Sequence, residues 1–375
     1  LFGFYAEFIK MKHMKILCPS KSLFPLLNTV ELGELNDQII NAVFLPLPPK
    51  DAQRIGEKAL ETKKPYSLLL KQEITLSLQE RKDFYLAEEK FHLGELEKLP
   101  PEPYRNDPYQ KALSALEKKR LGLFCLKVRT LHPYVPFCYA SKRVDPKSNF
   151  KDTTPLGYFT EPFPTYALEE NGRVWMSLVP HEIETMKEDI HKAKGNVVVM
   201  GCGLGYFAYS ISLKKEVTSI RIVERSEKVL ALFSRYLLPL FPYPEKIKLI
   251  QRDALEVASE KEFNCDFCYV DLWHDCEDGL PLYLSFKKRE KEGIAYAYWI
   301  EKDMLVYFRR HLNALLEEEI QGSEDKDYLH EENFSDHLIN RLHFLLKSHR
   351  ISSIDDALEL YRDSSLKHLA KALGE

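Results

Sequence analysis

Blocks of apolar residues recur between residues 195 and 300, and polar stretches with helical periodicity separate them. Short continuous apolar runs predict buried strands, and apolar residues at a spacing of three and four predict helices. Strands are predicted at residues 197–200, 218–224, 247–254, 267–271 and 294–300. Helices are predicted from near Tyr206, over 227–238 and over 301–319. Strands that alternate with helices in this way indicate a parallel sheet.

The segments on either side have a different pattern. Short strands are predicted at 14–18 and 42–46, and helices at 51–62, 73–87 and 109–121. Residues 131–165 are rich in proline and aromatic residues and are expected to be irregular. A hairpin with an Asn171-Gly172 turn follows, and then a helix from Pro180. The carboxyl end predicts helices at 333–347 and 353–373, with no final antiparallel hairpin.

These patterns predict an α/β fold with a parallel sheet flanked by helices, plus additions at both ends. The expected units are an N-terminal α+β domain (1–130), a connection with a β-hairpin (131–180), the domain with the parallel sheet (181–319) and a helical C-terminal extension (320–375).

Three glycines separate the first strand of the sheet from its helix, namely Gly201, Gly203 and Gly205. Glycine allows the backbone to approach a nucleotide-like ligand closely and to adopt positive φ. The next three strands each end in an acid, and these are Glu224, Asp253 and Asp271. An acid about twenty residues past the glycines can accept hydrogen bonds from ribose hydroxyls.

This ordered set resembles the class I S-adenosylmethionine-dependent methyltransferases over about residues 180–310. The resemblance implies that residues 181–319 form a Rossmann-like methyltransferase sheet flanked by helices, which binds S-adenosylmethionine. It also implies an enzyme that transfers a methyl group from this cofactor. It implies that Gly201, Gly203 and Gly205 line the methionine and ribose portion, Glu224 takes the ribose hydroxyls, Asp253 and Ala254 face the adenine, and Asp271 lies near the sulfonium and the acceptor. Val199 departs from the family's fullest loop, which has an acid at that place.

The segment after the fourth strand carries the candidate catalytic groups. Asp271 or His274 could act as a general base, which is needed only if the acceptor is protonated when it attacks. Trp273 is expected to stack on an acceptor or a cation, and Tyr283 is expected on the acceptor side. The alternative is that His274 and Asp275 cap the next helix while Trp273 is core.

Three other functions stay open. Gly203, Gly205 and Ala208 formally fit a dinucleotide-binding fingerprint, so an NAD-dependent enzyme is one of them. The order of hairpin, helix and glycine loop is similar to that of the spermidine synthases, which are aminopropyltransferases, although Leu204 stands where they carry an acid. A non-catalytic cofactor-binding regulator or scaffold is the third, because the final hairpin is not found.

Composition limits the classes of partner. The 375 residues carry a net charge of −4, so there is no overall attraction to nucleic acid, and RNA, protein and small-molecule acceptors all stay open. No run of eighteen apolar residues exists, so no membrane span is predicted. Seven scattered cysteines are typical of a reducing, cytoplasmic location. Homo-oligomerisation is left open.

A zinc-like grouping of Cys265, Cys268, His274 and Cys276 is not expected to bind metal. If residues 265–270 form a strand, Cys265 and Cys268 point to opposite faces of the sheet. No metal site is therefore predicted.

Overall fold

The computed structural model describes residues 14–79, 96–116, 120–121, 124–170, 173–321 and 333–374. The first part of the chain contains five helices and ten short or medium strands among these residues. The helices are α1 (Phe24–Ile39), α2 (Pro49–Thr62), α3 (Tyr66–Gln79), α4 (Glu102–Arg105) and α5 (Pro108–Ser114). The strands are β1 (Lys15–Ile16), β2 (Leu96–Lys98), β3 (Arg120–Leu121), β4 (Phe124–Leu131), β5 (Phe137–Cys138), β6 (Arg143–Asp145), β7 (Lys151–Thr153), β8 (Leu156–Tyr158), β9 (Phe163–Glu170) and β10 (Arg173–Leu178).

Three predictions for this part were wrong. The helix predicted at 109–121 ends at Ser114, and residues 120–121 form strand β3. The strand predicted at 42–46 is instead a π-helical turn, Ile40–Phe44, that continues α1. Its apolar residues Ile40 and Phe44 face a small core, and this packing favours the helical spacing over a strand. The segment 131–165 is also more regular than expected, since it holds the short strands β5 to β8. The predicted helix at 73–87 begins earlier, at Tyr66, and residues 80–87 lie outside the described part.

The predicted hairpin is confirmed by strands β9 and β10, which pair antiparallel, with Met176 opposite Leu168 and Leu178 opposite Tyr166. Its two turn residues lie outside the described part. The hairpin belongs to a four-stranded antiparallel sheet with the order β10-β9-β4-β3. This sheet directly precedes α6 in the chain and brings β10 close to the edge of the parallel sheet.

The second part of the chain alternates strands and helices as predicted. Its elements are α6 (Pro180–Lys192), β11 (Gly195–Met200), α7 (Tyr206–Ser212), β12 (Val217–Glu224), α8 (Glu227–Leu232), β13 (Ile247–Gln251), α9 (Ala254–Ser259), β14 (Phe267–Val270), α10 (Cys276–Arg289), β15 (Ala295–Tyr298), α11 (Glu301–Gln321), α12 (Phe334–Leu346), β16 (Arg350–Ile351), α13 (Ile354–Leu360) and α14 (Asp363–Leu373).

Five strands form a parallel sheet with the order β13-β12-β11-β14-β15. Met200 at the end of β11 pairs with Val223 on one side and Val270 on the other. Chain order therefore reverses at β11, which makes the carboxyl ends of β11, β12 and β14 the switch point of a Rossmann-like sheet. The predicted fold class is confirmed by this topology.

Helices follow the last strand of the sheet in the described residues, where a further antiparallel hairpin would stand in the full methyltransferase fold. Helix α11 packs against α12 and α14, and α10 packs against α14. The single helix predicted at 353–373 is two helices, α13 and α14, because Arg362 adopts an extended conformation between them. Strand β16 pairs in parallel with β1, which joins the two ends of the described chain.

The larger hydrophobic core contains residues from both ends of the chain, including Leu23, Tyr109, Val198, Phe308 and Tyr361. A smaller core lies around Phe44, Ile55 and Leu70. The domain boundaries given above stay a prediction. No helix in the described ranges combines the length and the apolar character that crossing a bilayer requires.

Candidate functional site

A cavity of about 520 Å³ opens at the switch point of the parallel sheet. This volume lies in the range of small-molecule and cofactor sites. Its wall combines the glycine loop, the ends of β11 to β14, the strand β10 and the start of α6. The crevice outside the carboxyl ends of the strands is where open α/β sheets bind their ligands.

The glycine loop turns sharply between β11 and α7. Gly201, Gly203 and Gly205 all have positive φ, at 98°, 51° and 83°. A Cβ atom on Gly201 would lie 1.9 Å from the backbone oxygen of Asp271, and one on Gly205 would lie 2.7 Å from the ring of Phe233. At Gly203 it would meet nothing closer than 3.8 Å. The first and last glycines are therefore needed for packing, while the middle one leaves room for a ligand.

Helix α5, from the first part of the chain, holds this loop in place. The hydroxyl of Tyr109 donates to the carbonyl oxygen of Leu204. Tyr206 donates its hydroxyl to Asp107 at 3.1 Å, and the rings of Tyr109 and Tyr209 lie 4.5 Å apart. No periodic pattern in the sequence predicts these two hydrogen bonds, because they join residues 95 and 99 positions apart.

Glu224 lies at the end of β12 against the glycine loop. Its Oε2 accepts a hydrogen bond from the backbone N–H of Cys202 at 3.3 Å, and its Oε1 accepts one from Ser226 at 2.8 Å. A carboxylate oxygen can accept more than one hydrogen bond, so the group keeps capacity for a ligand's hydroxyls. The backbone contacts fix the carboxylate at the cavity wall.

Asp253 and Ala254 follow β13 and also line the cavity. Asp253 is the N-cap of α9, and its Oδ1 accepts from Leu255 at 2.8 Å and from Glu256 at 3.2 Å. Ala254 is buried. The structure thus gives Asp253 a structural role in addition to its place in the wall.

Two carboxyl groups face the cavity from opposite elements. Asp271 follows β14, and Glu182 stands in the first turn of α6. Burial raises the pKa of Asp271 to about 7. Burial and the nearby Asp271 together raise the pKa of Glu182 to about 8. Within the described residues neither carboxyl group has a hydrogen-bond donor.

Glu182 was not among the sequence-predicted site residues. An acid in the first turn of a helix is usually a favourable partner for the helix dipole, and that interpretation requires no ligand. The useful signal is that α6 leads straight into β11. Its first turn therefore lies near the carboxyl edge of the sheet.

The segment after β14 divides between the cavity and a helix cap. Trp273 lines the cavity, is nearly buried, and donates its indole N–H to the carbonyl of Trp299 at 3.2 Å. Asp275 and Asp278 form a capping box at the start of α10. His274 is largely exposed at the cavity rim, with Nδ1 2.9 Å from Asp278 Oδ2. The contacts of His274 and Asp275 are therefore those of the alternative prediction, in which both residues cap α10.

Tyr283 does not reach the cavity. It lies within α10, fully buried, and its hydroxyl donates to Glu301 at 2.9 Å. Helix α10 begins at Cys276, so Tyr283 falls two turns into it and packs edge-on against Tyr298 of β15 at 5.0 Å. Its neighbour Leu282 lines the cavity instead.

The end of the cavity next to β10 is apolar on one side and acidic on the other. Val174, Met176 and Leu178 of β10 and Met186 of α6 supply the apolar side chains. The acidic and basic side chains around the whole cavity are four carboxyl groups, one guanidinium and one imidazole, namely Glu182, Glu224, Asp253, Asp271, Arg225 and His274. Acidic groups therefore outnumber basic groups around the cavity.

The cysteines give no sign of chemistry at the site. Burial raises the pKa of the Cys202 thiol in the glycine loop well above its ordinary value. The prediction that Cys265 and Cys268 point to opposite faces of the sheet was wrong. Strand β14 begins at Phe267, so Cys265 precedes it, and the thiol of Cys268 hydrogen-bonds to Cys265. In the described ranges, no three His, Cys, Asp or Glu side chains are arranged as a metal site.

A parallel sheet of this order, with a glycine turn after its first strand and carboxylates at the next strand ends, defines a Rossmann-like α/β fold. The sequence matches no protein-family model, and no curated protein matches it.

Two solved structures of spermidine synthase are similar to this chain. The one from Thermotoga maritima aligns with a TM-score of 0.29 and 11% identity, over 40% of this chain and 59% of that chain. The other, in complex with the transition state analogue AdoDATO, aligns with a TM-score of 0.29 and 11% identity, over 40% and 58%. This chain thus spans less than two thirds of the length of either neighbour.

Proposed function

We propose that the cavity binds S-adenosylmethionine and that the protein transfers its methyl group to an acceptor. The observation that carries the proposal is the placement of Glu224, whose carboxylate is fixed at the glycine loop where a ribose would lie. Gly203 leaves space for a ligand, and Ala254 borders the cavity where an adenine would lie. The residues present therefore fit this cofactor.

The cofactor supplies a methyl group on a sulfonium, and the protein's contribution is mainly positioning. Glu224 would accept hydrogen bonds from the ribose hydroxyls, and Asp253 and Ala254 would border the base. Asp271 is the group that accepts a proton from the acceptor, because a pKa of about 7 suits a general base at neutral pH. His274 remains a candidate base at the rim, although its ring is engaged with Asp278.

Transfer of labelled methyl groups from S-adenosylmethionine to the components of a cell extract tests this function. The protein is expected to label at least one component, and Asp271→Asn is expected to lower the rate by about 100-fold or more. Glu277→Gln is the matched control, since it changes an exposed acid on α10 outside the cavity wall. Absence of labelling by the unmodified protein would favour the non-catalytic regulator.

Aminopropyl transfer from the decarboxylated cofactor is the second candidate. The observation that favours it is the pair of carboxyl groups, Glu182 and Asp271, which lack donors and could hold an added amine near the glycine loop. Running the same assay with labelled decarboxylated cofactor separates the two reactions. Transfer from the decarboxylated form alone would replace the methyltransferase assignment with this one.

A further inference from the structure

We propose that Glu182 and Asp271 together form a binding site for the ammonium group of an amine acceptor. The proposal rests on the proposed function, since it names the class of acceptor that this cavity takes. The site would lie at the end of the cavity bordered by β10, α6 and the segment after β14. The nucleoside would lie at the other end, over β12 and β13.

The fold brings the two carboxyl groups to one cavity from separate directions. Glu182 comes from the first turn of α6, and Asp271 comes from the carboxyl end of β14. Both line the cavity and neither accepts a hydrogen bond from the described protein residues. Two neighbouring carboxyl groups that lack donors resist being ionised together, and a cation between them removes that penalty.

Among the described residues, no cation forms a hydrogen bond to either carboxyl group. The other ionisable groups that line the cavity are the Tyr269 hydroxyl from β14, His274 ahead of α10, Glu224 and Arg225 after β12, Asp253 after β13, and Cys202 and Tyr206 from the glycine loop. Tyr269 is fully buried and its hydroxyl has no hydrogen-bond partner in the described structure. Arg225 and a protonated His274 are the cationic members of this set, and neither makes a hydrogen bond to Glu182 or Asp271. Burial raises the pKa of Asp271 by more than the charge of His274 lowers it, so the pair still lacks a cation that offsets its burial.

The walls around the pair suit the rest of an amine. Val174, Met176 and Leu178 offer an apolar strand face for an alkyl or aryl body. Trp273 and Trp299 also line the cavity, and aromatic rings attract cations. A phosphate-bearing acceptor would instead meet four carboxyl groups and one guanidinium. The arrangement therefore selects a small or side-chain amine over a nucleic acid.

The pair also prepares the amine to react. Because the pKa values of Glu182 and Asp271 are both raised, the two carboxyl groups hold at least one proton near neutral pH. They release this proton to solvent when the ammonium group binds. Asp271 can then accept one proton from the ammonium. One N–H bond breaks and one O–H bond forms, and the amine nitrogen keeps the electron pair it needs as a nucleophile.

Calorimetric titration with n-hexylamine tests the site without any turnover, using the full-length protein saturated with S-adenosylhomocysteine. 1-Hexanol is the uncharged counterpart of the same length. We expect n-hexylamine to bind at least about tenfold more tightly than 1-hexanol, with net proton release seen as a dependence of the heat on the ionisation enthalpy of the buffer. Equal binding of the two probes would overturn the proposal.

Substitutions test whether Glu182 and Asp271 cause the tighter binding of n-hexylamine. Glu182→Gln and Asp271→Asn are each expected to weaken n-hexylamine by about tenfold or more, whereas Glu277→Gln leaves its affinity unchanged. In the unmodified protein, affinity for n-hexylamine is expected to be about fivefold or more lower at pH 6 than at pH 8. This pH comparison uses only the unmodified protein, so it does not depend on whether a variant folds. An affinity that is independent of pH would count against the site.

The same titrations separate this proposal from the proposed function. S-Adenosylhomocysteine carries an ammonium group of its own, so its affinity for Glu182→Gln decides which ammonium the pair holds. Loss of nucleoside affinity with no effect on n-hexylamine would overturn the acceptor site. Binding of n-hexylamine by a protein that binds no S-adenosylhomocysteine would leave the amine site standing and remove the proposed cofactor.

Discussion

Gly201 allows the loop after β11 to pack directly against the loop after β14. Its backbone lies against the carbonyl of Asp271, so the two cavity-forming segments share one close contact. Any side chain would push Asp271 and its neighbours away. The position of the candidate base therefore depends on a residue that has no chemistry of its own.

Gly201→Ala is expected to weaken S-adenosylhomocysteine binding by at least about tenfold, because its Cβ would lie 1.9 Å from a backbone oxygen. Gly293→Ala is the control, since Gly293 has a similar positive φ of 84° but a Cβ there meets nothing within 4 Å. We expect the control to lose about 1 kcal/mol of stability and no affinity. Equal affinity of the two variants would show that the close contact is unimportant.

The carboxyl pair should destabilise the folded protein at alkaline pH. Between about pH 4 and pH 7 the folded state holds a proton on Asp271 that the unfolded state has lost, so the free energy of unfolding falls as pH rises. Asp271→Asn is therefore expected to increase the free energy of unfolding at pH 8 by about 1 kcal/mol or more, with little effect at pH 4.

Denaturant titrations at the two pH values measure this difference. Glu277→Gln is again the control and is expected to change stability by less than about 0.5 kcal/mol at either pH. A loss of stability in Asp271→Asn at pH 8 would mean that the carboxylate has a stabilising partner in the protein.

Much of the cavity wall followed from the sequence because glycines and strand-end acids are local signals. Gly201, Gly203, Gly205, Glu224 and Asp271 all lie where the strand pattern places them. Glu182 and Tyr283 could not be assigned in the same way. The first depends on how α6 meets the sheet, and the second depends on where α10 begins.

At the level of elements, a capping box fixes the start of α10. Asp275 Oδ1 accepts from the backbone of Glu277 at 2.8 Å and of Asp278 at 3.1 Å. Asp278 Oδ1 accepts in return from Asp275 at 3.0 Å. The box fixes the direction in which the chain leaves the cavity after Trp273.

Asp275→Ala is expected to lower the free energy of unfolding by about 1 kcal/mol, because it removes the N-cap of α10. Glu277→Ala lies in the same turn and donates its backbone N–H without capping, so a change of less than about 0.5 kcal/mol is expected. Urea titration measures both. Similar values for the two variants would show that the cap contributes little.

The sequence predicted the buried parallel strands better than the elements before them. A run such as 197–200 is apolar on both faces and can only be a buried strand or helix. Strands β5 to β8 have two or three residues each, and their pairing depends on partners elsewhere in the fold. No period can be detected in a segment of that length.

At the scale of the whole molecule, a nearly buried ion network joins distant parts of the chain. Asp37 of α1 accepts hydrogen bonds from Lys142, from Thr154 at 2.9 Å and from Arg310 of α11 at 2.5 Å. Asp152 of β7 lies 3.3 Å from Arg310 and 3.4 Å from Lys142. Burial alone would raise the pKa of Asp37, but the two cations hold it below its ordinary value.

Asp37→Asn is expected to lower the free energy of unfolding by about 3 kcal/mol, because it leaves two buried cations with one carboxylate. Glu73→Gln is the control, since Glu73 pairs with Arg54 and Lys58 near the surface and should contribute less than about 1 kcal/mol. Chemical denaturation followed by tryptophan fluorescence compares them. Equal losses would mean that the network does not hold α1 and α11 together.

Calorimetric titration with S-adenosylmethionine, S-adenosylhomocysteine and NAD, each separately, tests the cofactor assignment most directly. Glu224→Gln is compared with Glu227→Gln, which changes an exposed acid three residues further on. We expect binding of the first two ligands with a Kd on the order of micromolar, no binding of NAD, and a loss of about tenfold or more in Glu224→Gln alone. Binding of NAD alone, or of none of the three, would contradict the assignment.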